Sequence, residues 1–484
     1  MSVAIEKINS FIRDHIGEKI AIFLHSSLVL ESTENIKKLK NGGLFGFLTT
    51  VNYYIPENCY YELKLLAKCS YNDVIKKKAN FLLETFAKAS DSLQIMCAQK
   101  EGLAAKYNYK RALFVFYEPA AAEEFSEKFG FKTNHHIFSY NPYNPKGYNF
   151  IEVIGTEIFR TCSPLINTKR AGTPNFNSLT IKYDDKKKTI LNFSELEEYN
   201  DNGGEAIIYT SSKLPGQCIK LYRKIIPGKY MEKKLENLRA CHLAKNAAFP
   251  TGLVYDGDKC VGFIMDKLEG KPLSNALWQP QYDVVWEKYN LLANMLVSIL
   301  ELRINQMVIT DLSMRNLYVC PDGRVVAIDT DSMEVAHYPG GGVTPTFAHP
   351  DVTEEYYFTR LRKAEHTNFP LAVLLFNILV GEDPLACCGH IDNLEWRKDK
   401  FPLSNDSNGR GCELNGMKVN AERLREWNSL SKDERECFIN AFNFTEICDI
   451  GTWVKAMPLL FSGFRFLPKP ADKDLDYLLS MYEI

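Results

Sequence analysis

The sequence predicts a layered α/β domain, followed by an α+β unit in which a small strand-rich lobe precedes a larger helical one. Three observations predict it. Between Ile20 and about Phe150, short apolar runs alternate with helical periods; from Thr189 short strands flank one charged helix; beyond Val261 the pattern is mostly helical. The 484 residues allow two or three domains, and the changes of character divide them into 1–160, a connection at 161–190, and 191–484.

Composition narrows the classes. Hydrophobic residues at 45% and charged residues at 24% are ordinary for a globular chain and exclude wholesale disorder or a collagen-like repeat. Lys and Arg number 58 against 60 Asp and Glu, and the net charge of -2 is not that of a dedicated nucleic-acid or anionic-membrane binder. The 13 cysteines are scattered with no Cys-x-x-Cys pair, so neither a disulfide framework nor a zinc site is expected, and a reducing cytoplasm is. Cys387, Cys388 and His390 lie close together, but a fourth ligand is not in view. The opening MSVAIEKINSFIRDHIGEKI mixes charges throughout, unlike a signal peptide. The longest apolar stretches, Leu291 to Leu300 and Leu371 to Val380, read as buried helices too short to span a bilayer, so no membrane partner is expected.

In chain order, Lys19 to Leu28 reads as a first strand ending in a polar turn, Ile55 to Leu63 opens a helix, and Leu113 to Tyr117 is a strand followed by Glu118. From about Arg160 to Lys188 the chain turns polar, with Pro164, Pro174 and three lysines at 186–188, which reads as a linker. Strands are then expected near Ala206 to Tyr209, Cys218 to Tyr222, Leu253 and Val261, with a helix around Met231 to Ala244.

The segment VITDLSMRNLYVCPDGRVVAIDTDSMEV, residues 308–335, carries the chemistry. Asp311 lies on a loop after a long helix, Asn316 follows, and the Pro321-Asp322-Gly323 turn joins two apolar strands, the second ending in Asp329-Thr330-Asp331. Such a hairpin brings Asp311, Asn316 and Asp329 to one mouth. Two carboxylates and an amide oxygen are hard ligands suited to Mg²⁺, and phosphoryl transfer needs a metal on the phosphates beside a separate carboxylate for the attacking hydroxyl.

That spacing resembles the catalytic loop and metal motif of protein kinases, with Asp311 in the place of the base, Asn316 of the metal-binding Asn, and Asp329 of the Asp in Asp-Phe-Gly. More narrowly, Asp329-Thr330-Asp331-Ser332 resembles the element of bacterial eukaryotic-like Ser/Thr kinases. The resemblance implies ATP and Mg²⁺ as cofactors, a protein substrate that can be the chain itself, and further roles across residues 195–465. Gly203 and Gly204 resemble the loop over ATP. Lys220 resembles the lysine on the α- and β-phosphates, and Glu232 the helix glutamate that orients it, with Glu236 the alternative. Met265 would be the gatekeeper, and Asp266 and Leu268 the hinge contacts to adenine. Asp331 stands as a second metal ligand or as an acceptor at the turn. The sequence departs from the pattern at Ile309-Thr310 in place of His-Arg, at Ser313 in place of a common Lys, with Arg315 nearby, and at Thr367 or Asn368 in place of the Asp that anchors the loop.

The first domain is similar to PIN-type nuclease domains, which gather acids for Mg²⁺ at strand ends. His25 stands where their first Asp would be, leaving Glu62 and Glu118; another α/β three-layer domain remains an alternative. The expectation is therefore a two-lobed α+β protein-kinase-like fold preceded by an α/β three-layer, PIN-like domain that binds or regulates. Nucleic acid would be a partner only through that domain. A pseudokinase scaffold that binds nucleotide without transfer, and a kinase-controlled RNase, are the rival expectations.

Overall fold

The computed structural model describes residues 3–31, 33–40, 50–88, 93–96, 111–116, 135–139, 176–183, 187–200, 206–225, 228–241, 245–335, 338–352, 361–381 and 421–461, with a few shorter pieces. Strand and helix alternate in the first domain as α1 (Val3–Asp14), β1 (Lys19–Leu24), α2 (Thr33–Lys40), β2 (Thr50–Pro56), α3 (Glu57–Cys69), α4 (Asp73–Lys88), β3 (Leu93–Met96), β4 (Arg111–Phe116) and β5 (His135–Ser139). The five strands pair in parallel in the order β3-β2-β1-β4-β5. Ile20, Ile22, Phe23 and Leu24 of β1 are buried, as a central parallel strand requires.

A seven-stranded antiparallel sheet follows, formed by β6 (Ser178–Lys182), β7 (Lys188–Asn192), β8 (Glu197–Asn200), β9 (Ala206–Thr210), β10 (Gln217–Tyr222), β11 (Gly252–Asp256) and β12 (Lys259–Asp266). Its order is β7-β6-β11-β12-β10-β9-β8. This overturns part of the expected linker, because β6 and β7 fall within or just beyond 161–190. Leu179, Ile181 and Leu191 point into a core of their own with Ile219, Leu221, Val254 and Ile264. The apolar alternation is real but short, and the flanking lysines conceal it. Residues two apart share a sheet face, so Lys220, between Ile219 and Leu221, is directed to the opposite face, toward helix α5 (Gly228–Arg239).

The helical lobe is organised on two helices that are apolar nearly all round, α6 (Val285–Ile304) and α7 (Ala364–Val380), both largely buried. Gly381 ends α7 with φ of 85°, a left-handed conformation that glycine adopts without strain. The hairpin β13 (Leu317–Val319) and β14 (Val325–Ala327) follows α6, and α8 (Ala421–Ser429), α9 (Lys432–Phe442) and α10 (Ile450–Ala456) complete the lobe. Among the described residues no helix is long and apolar enough to cross a membrane.

The first domain docks on this lobe through α3. A Cβ at Gly451 of α10 would collide with the Asn58 carbonyl, so the two helices approach as closely as glycine permits. Lys455 donates to Glu57 at 2.8 Å and Asn58 Nδ2 to Asp449 at 2.5 Å. Deepest is Glu301 of α6, fully buried: its carboxylate accepts from Ser70 of the first domain and from Asn246 on the approach to β11. The Asn246 carbonyl in turn accepts from Ala327 N at 2.8 Å, two residues before Asp329.

Removing the Glu301 carboxylate takes the printed acceptor from the buried Asn246 amide, at about 1–3 kcal/mol, while the Ser70 hydroxyl retains the Asn72 carbonyl at 3.2 Å. Glu301→Ala is therefore expected to cost about 2 kcal/mol in denaturant unfolding and to raise the susceptibility of the domain junction to limited proteolysis. Unchanged stability would show that the carboxylate does not hold the junction.

Candidate active site

The segment after α6 is shaped by its own backbone. Gln306 takes φ of 61°, turning the chain out of the helix into Met307–Val308 and the loop that carries Asp311. Asp311 is half-buried. Its Oδ2 accepts from Asn316 Nδ2 at 2.8 Å and its Oδ1 from the backbone N of Thr344 at 2.6 Å. Because the Asn316 amide nitrogen also donates to the Asp311 carbonyl at 3.0 Å, the amide is fixed with Oδ1 as its remaining acceptor. Hairpin pairing of Leu317 with Ala327, and the bond from Ile328 N to Asn316 O at 2.9 Å, bring Asp329 next to this pair.

Asp329 has φ of 60° and ψ of 43°, a left-handed conformation that is sparsely populated for a residue with a side chain. The turn is over-determined: Ser332 Oγ donates to the Asp329 carbonyl at 2.7 Å, and the buried Thr330 hydroxyl donates to Ala248 O at 3.0 Å. The Lys220 ammonium reaches across to it. Lys220 donates to Asp329 Oδ1 and, at 2.5 Å, to Asp331 Oδ1, with the Phe263 ring 5.7 Å from its nitrogen. Burial alone would favour the neutral amine, but the two carboxylates outweigh it and hold the lysine above its ordinary pKa. Burial likewise works to raise the Asp329 pKa, and Lys220 with the Ser332 hydroxyl brings it below the usual value.

The structure corrects the expectation for the helix glutamate. Glu232 accepts from the Tyr255 hydroxyl at 2.7 Å and Glu236 is exposed; neither is bonded to Lys220. Met231, Lys234, Leu235 and Leu238 form the buried stripe of α5, spaced as an inward helical face must be. Position 234 is thus turned inward and carries a lysine, whose ammonium donates to Pro339 O at 2.9 Å. Sequence reasoning missed Lys234, although the apolar spacing at 231, 235 and 238 marks it. Asp331 is buried and paired with Lys220.

The remaining expected residues are placed as follows. Met265, the penultimate residue of β12, is half-buried beside Cys218, Asp266 at the end of the strand is exposed, and Leu268 is half-buried in the segment that follows. Ser313 is buried, Arg315 is exposed, and Thr310 donates to Ser332 O at 2.8 Å where a Cβ on Gly340 would collide with it. Asn368 Oδ1 and Thr367 O accept from Arg303 at 2.7 and 3.0 Å, which anchors the end of α6 rather than the Asp311 loop. In the first domain His25 and Glu62 come together. Gly203, Gly204, Glu118, Cys387, Cys388 and His390 lie outside the described residues.

No model of a known protein family matches the chain. Two curated proteins are similar to it, each called "Protein kinase YegI", from Escherichia coli O157:H7 and from Escherichia coli strain K12. They are 27% and 26% identical over 197 residues, 37% of this chain and 30% of each relative. The chain therefore spans less than a third of the length of these relatives. The similarity supports a distant, bacterial kinase-like relationship, in accord with a mixed α and β fold.

Burial lowers the Lys234 pKa to about 8, against the opposing pull of Asp331, Glu334 and Asp329. Between that value and the ordinary lysine range the unfolded chain binds the extra proton, so stability rises with pH across that window and is flat below it. The stability difference between wild type and Lys234→Met is expected to shift in favour of wild type by about 3 kcal/mol from pH 8 to pH 10.5. Denaturant titrations of both proteins across that range check it; a pH-independent difference would place the ammonium in contact with solvent.

Proposed function

We propose that this chain is an ATP-dependent protein kinase that transfers a phosphoryl group to Ser or Thr hydroxyls on proteins, itself included. The observation that carries the reading is the meeting of Lys220, Asp329 and Asp331 beside the bonded pair of Asp311 and Asn316. The relationship to bacterial kinases implies ATP and a divalent metal in general, and the donor set here suits Mg²⁺. The Asp329 side chain keeps 36% of its surface exposed and Asn316 presents Oδ1, both hard oxygens. When bound, the metal would neutralise charge on the transferring phosphates.

The residues of the chain do the rest. Lys220 leaves one of its two carboxylates to hold the α- and β-phosphates. Asp331, buried behind it, keeps the ammonium oriented, the task first assigned to Glu232. Asp311 accepts the hydrogen bond of the acceptor hydroxyl, orients its oxygen for in-line attack and takes its proton. Met265, Asp266 and Leu268 line the adenine side, and Gly203 and Gly204 cover the phosphates. The first domain is a PIN-like regulatory module, its influence passing through α3 and Glu301. Nucleic acid, if a partner, meets that domain.

A nucleotide-binding scaffold without transfer is the second reading, and one feature favours it: both Asp311 oxygens already accept, from Asn316 and Thr344. Incubation of the purified chain with labelled ATP and Mg²⁺ separates the two. Wild type is expected to label itself or an added protein, Asp311→Ala to lose roughly 10²-fold or more in rate, and Lys220→Met to lose both labelling and ATP-induced thermal stabilisation. Stabilisation by ATP with no transfer supports the scaffold; absence of both overturns both readings.

A further inference from the structure

Helix α5 meets the site through a residue that the kinase pattern does not supply. In the inward stripe of Met231, Lys234, Leu235 and Leu238, Lys234 is the polar member, and it is only 2% exposed. A lysine gives up far more hydration on burial than a leucine or methionine at the same place, so its ammonium needs a partner there. That partner is a main-chain carbonyl. Lys234 Nζ donates to Pro339 O at 2.9 Å; the Tyr230 hydroxyl lies 3.5 Å from the same oxygen, and its ring packs edge-on against Tyr338 with centroids 5.2 Å apart.

The carbonyl belongs to Pro339-Gly340-Gly341-Gly342, a segment with little to hold itself in place. Three successive glycines have no side chains to pack and the most backbone freedom to lose. The segment is anchored from outside, by Lys234 at Pro339 O and by the buried Arg362, whose Nη2 donates to Gly341 O at 3.0 Å. So anchored, it braces the turn at Asp329. Gly341 N donates to Ser332 O at 2.6 Å, Thr310 Oγ1 donates to the same oxygen at 2.8 Å, and Ser332 Oγ donates to the Asp329 carbonyl at 2.7 Å. The left-handed backbone of Asp329 therefore leans on a glycine segment that α5 holds.

We propose that Lys234 is a positioning residue that ties α5 to the glycine segment and, through Gly341 and Ser332, keeps Asp329 in the conformation from which it binds metal. The inference rests on the kinase reading for what Asp329 does, and on the hydrogen bonds alone for what holds it. No other charged residue of the helix takes this part: Glu232 is bonded to Tyr255, and Lys233 and Glu236 are exposed. The helix thus contributes a cation aimed at a carbonyl, while Asp331 does for Lys220 what a helix glutamate was expected to do.

Hydrogen exchange on the full chain without nucleotide tests the tether. Lys234→Met, which keeps the length of the side chain and removes the donor, is expected to speed exchange across 329–341 by about tenfold or more and to leave β9, β10 and α6 as protected as in wild type. Lys234→Arg, which can still donate, is expected to stay near wild type. Nucleotide affinity is then measured with Mg²⁺ and with chelator: Lys234→Met is expected to lose about tenfold of the gain that the metal confers and to keep its metal-free affinity. Lys234→Gln, shorter by one bond, replaces Lys234→Met if that variant does not fold, with the same local loosening expected. Unchanged exchange at 329–341 overturns the tether, and exchange raised throughout the lobe overturns the positioning role in favour of an ordinary core residue. Local loosening with the metal gain intact overturns the link to Asp329. A wild type without nucleotide affinity overturns the kinase reading and the role given to Asp329 with it, an outcome the exchange measurement keeps separate from failure of the tether.

Discussion

The buried carboxylate of Glu301 is the constraint on which the arrangement of this molecule depends. A carboxyl group with no exposed surface is tolerated only when its oxygens are hydrogen-bonded, and here the partners come from separate parts of the chain, Ser70 and Asn246. Asn246 passes the constraint on through its carbonyl to Ala327, and Ala248 extends it to Thr330. The turn that holds Asp329 in its left-handed conformation is therefore built against the same segment that the first domain helps to fix. Docking of α3 and the shape of the turn at Asp329 are one hydrogen-bonded structure.

Around that turn the electrostatics are arranged by burial. Lys220 lies on the inner face of β10 because strand residues alternate, and inside the lobe it keeps its proton only because Asp329 and Asp331 face it. The helix that a kinase-like pattern leads one to expect to supply its carboxylate instead turns Lys234 inward. Two lysines therefore face this region: the acids of the Asp-Thr-Asp turn outweigh burial at Lys220, while at Lys234 burial outweighs the pull of Asp331, Glu334 and Asp329. A second carboxylate at Asp331, in the place where the familiar motif has glycine, has its physical reason in that balance.

Much of this was legible. The spacing of Asp311, Asn316 and Asp329 around a Pro-Asp-Gly turn encodes a hairpin, and a hairpin juxtaposes its ends whatever surrounds it. The alternation through Cys218 to Tyr222 likewise encodes the strand and the inward side of Lys220. Glu232 was misplaced because two glutamates one turn apart look equivalent until the buried stripe through Met231, Leu235 and Leu238 is used to orient the helix. The strand at 178–182 was read as linker because it is short, alternately buried and flanked by lysines, a composition it shares with connections.

By itself, then, the sequence determined the elements, the strand and helix alternation of the first domain and the local geometry of the Asp311 to Asp331 hairpin, since each follows from periodicity and turn chemistry within a few tens of residues. It did not determine which carboxylate meets Lys220, that Glu301 joins three segments, or that His25, Cys59 and Glu62 share one buried space. The fold brings the end of β1 against the first turns of α3 and places these three side chains within 4.8 Å of one another, a proximity that no spacing records. Those decisions belong to the tertiary structure because they depend on which side chains long-range packing forces out of water together, and burial is what makes their charges answer to one another.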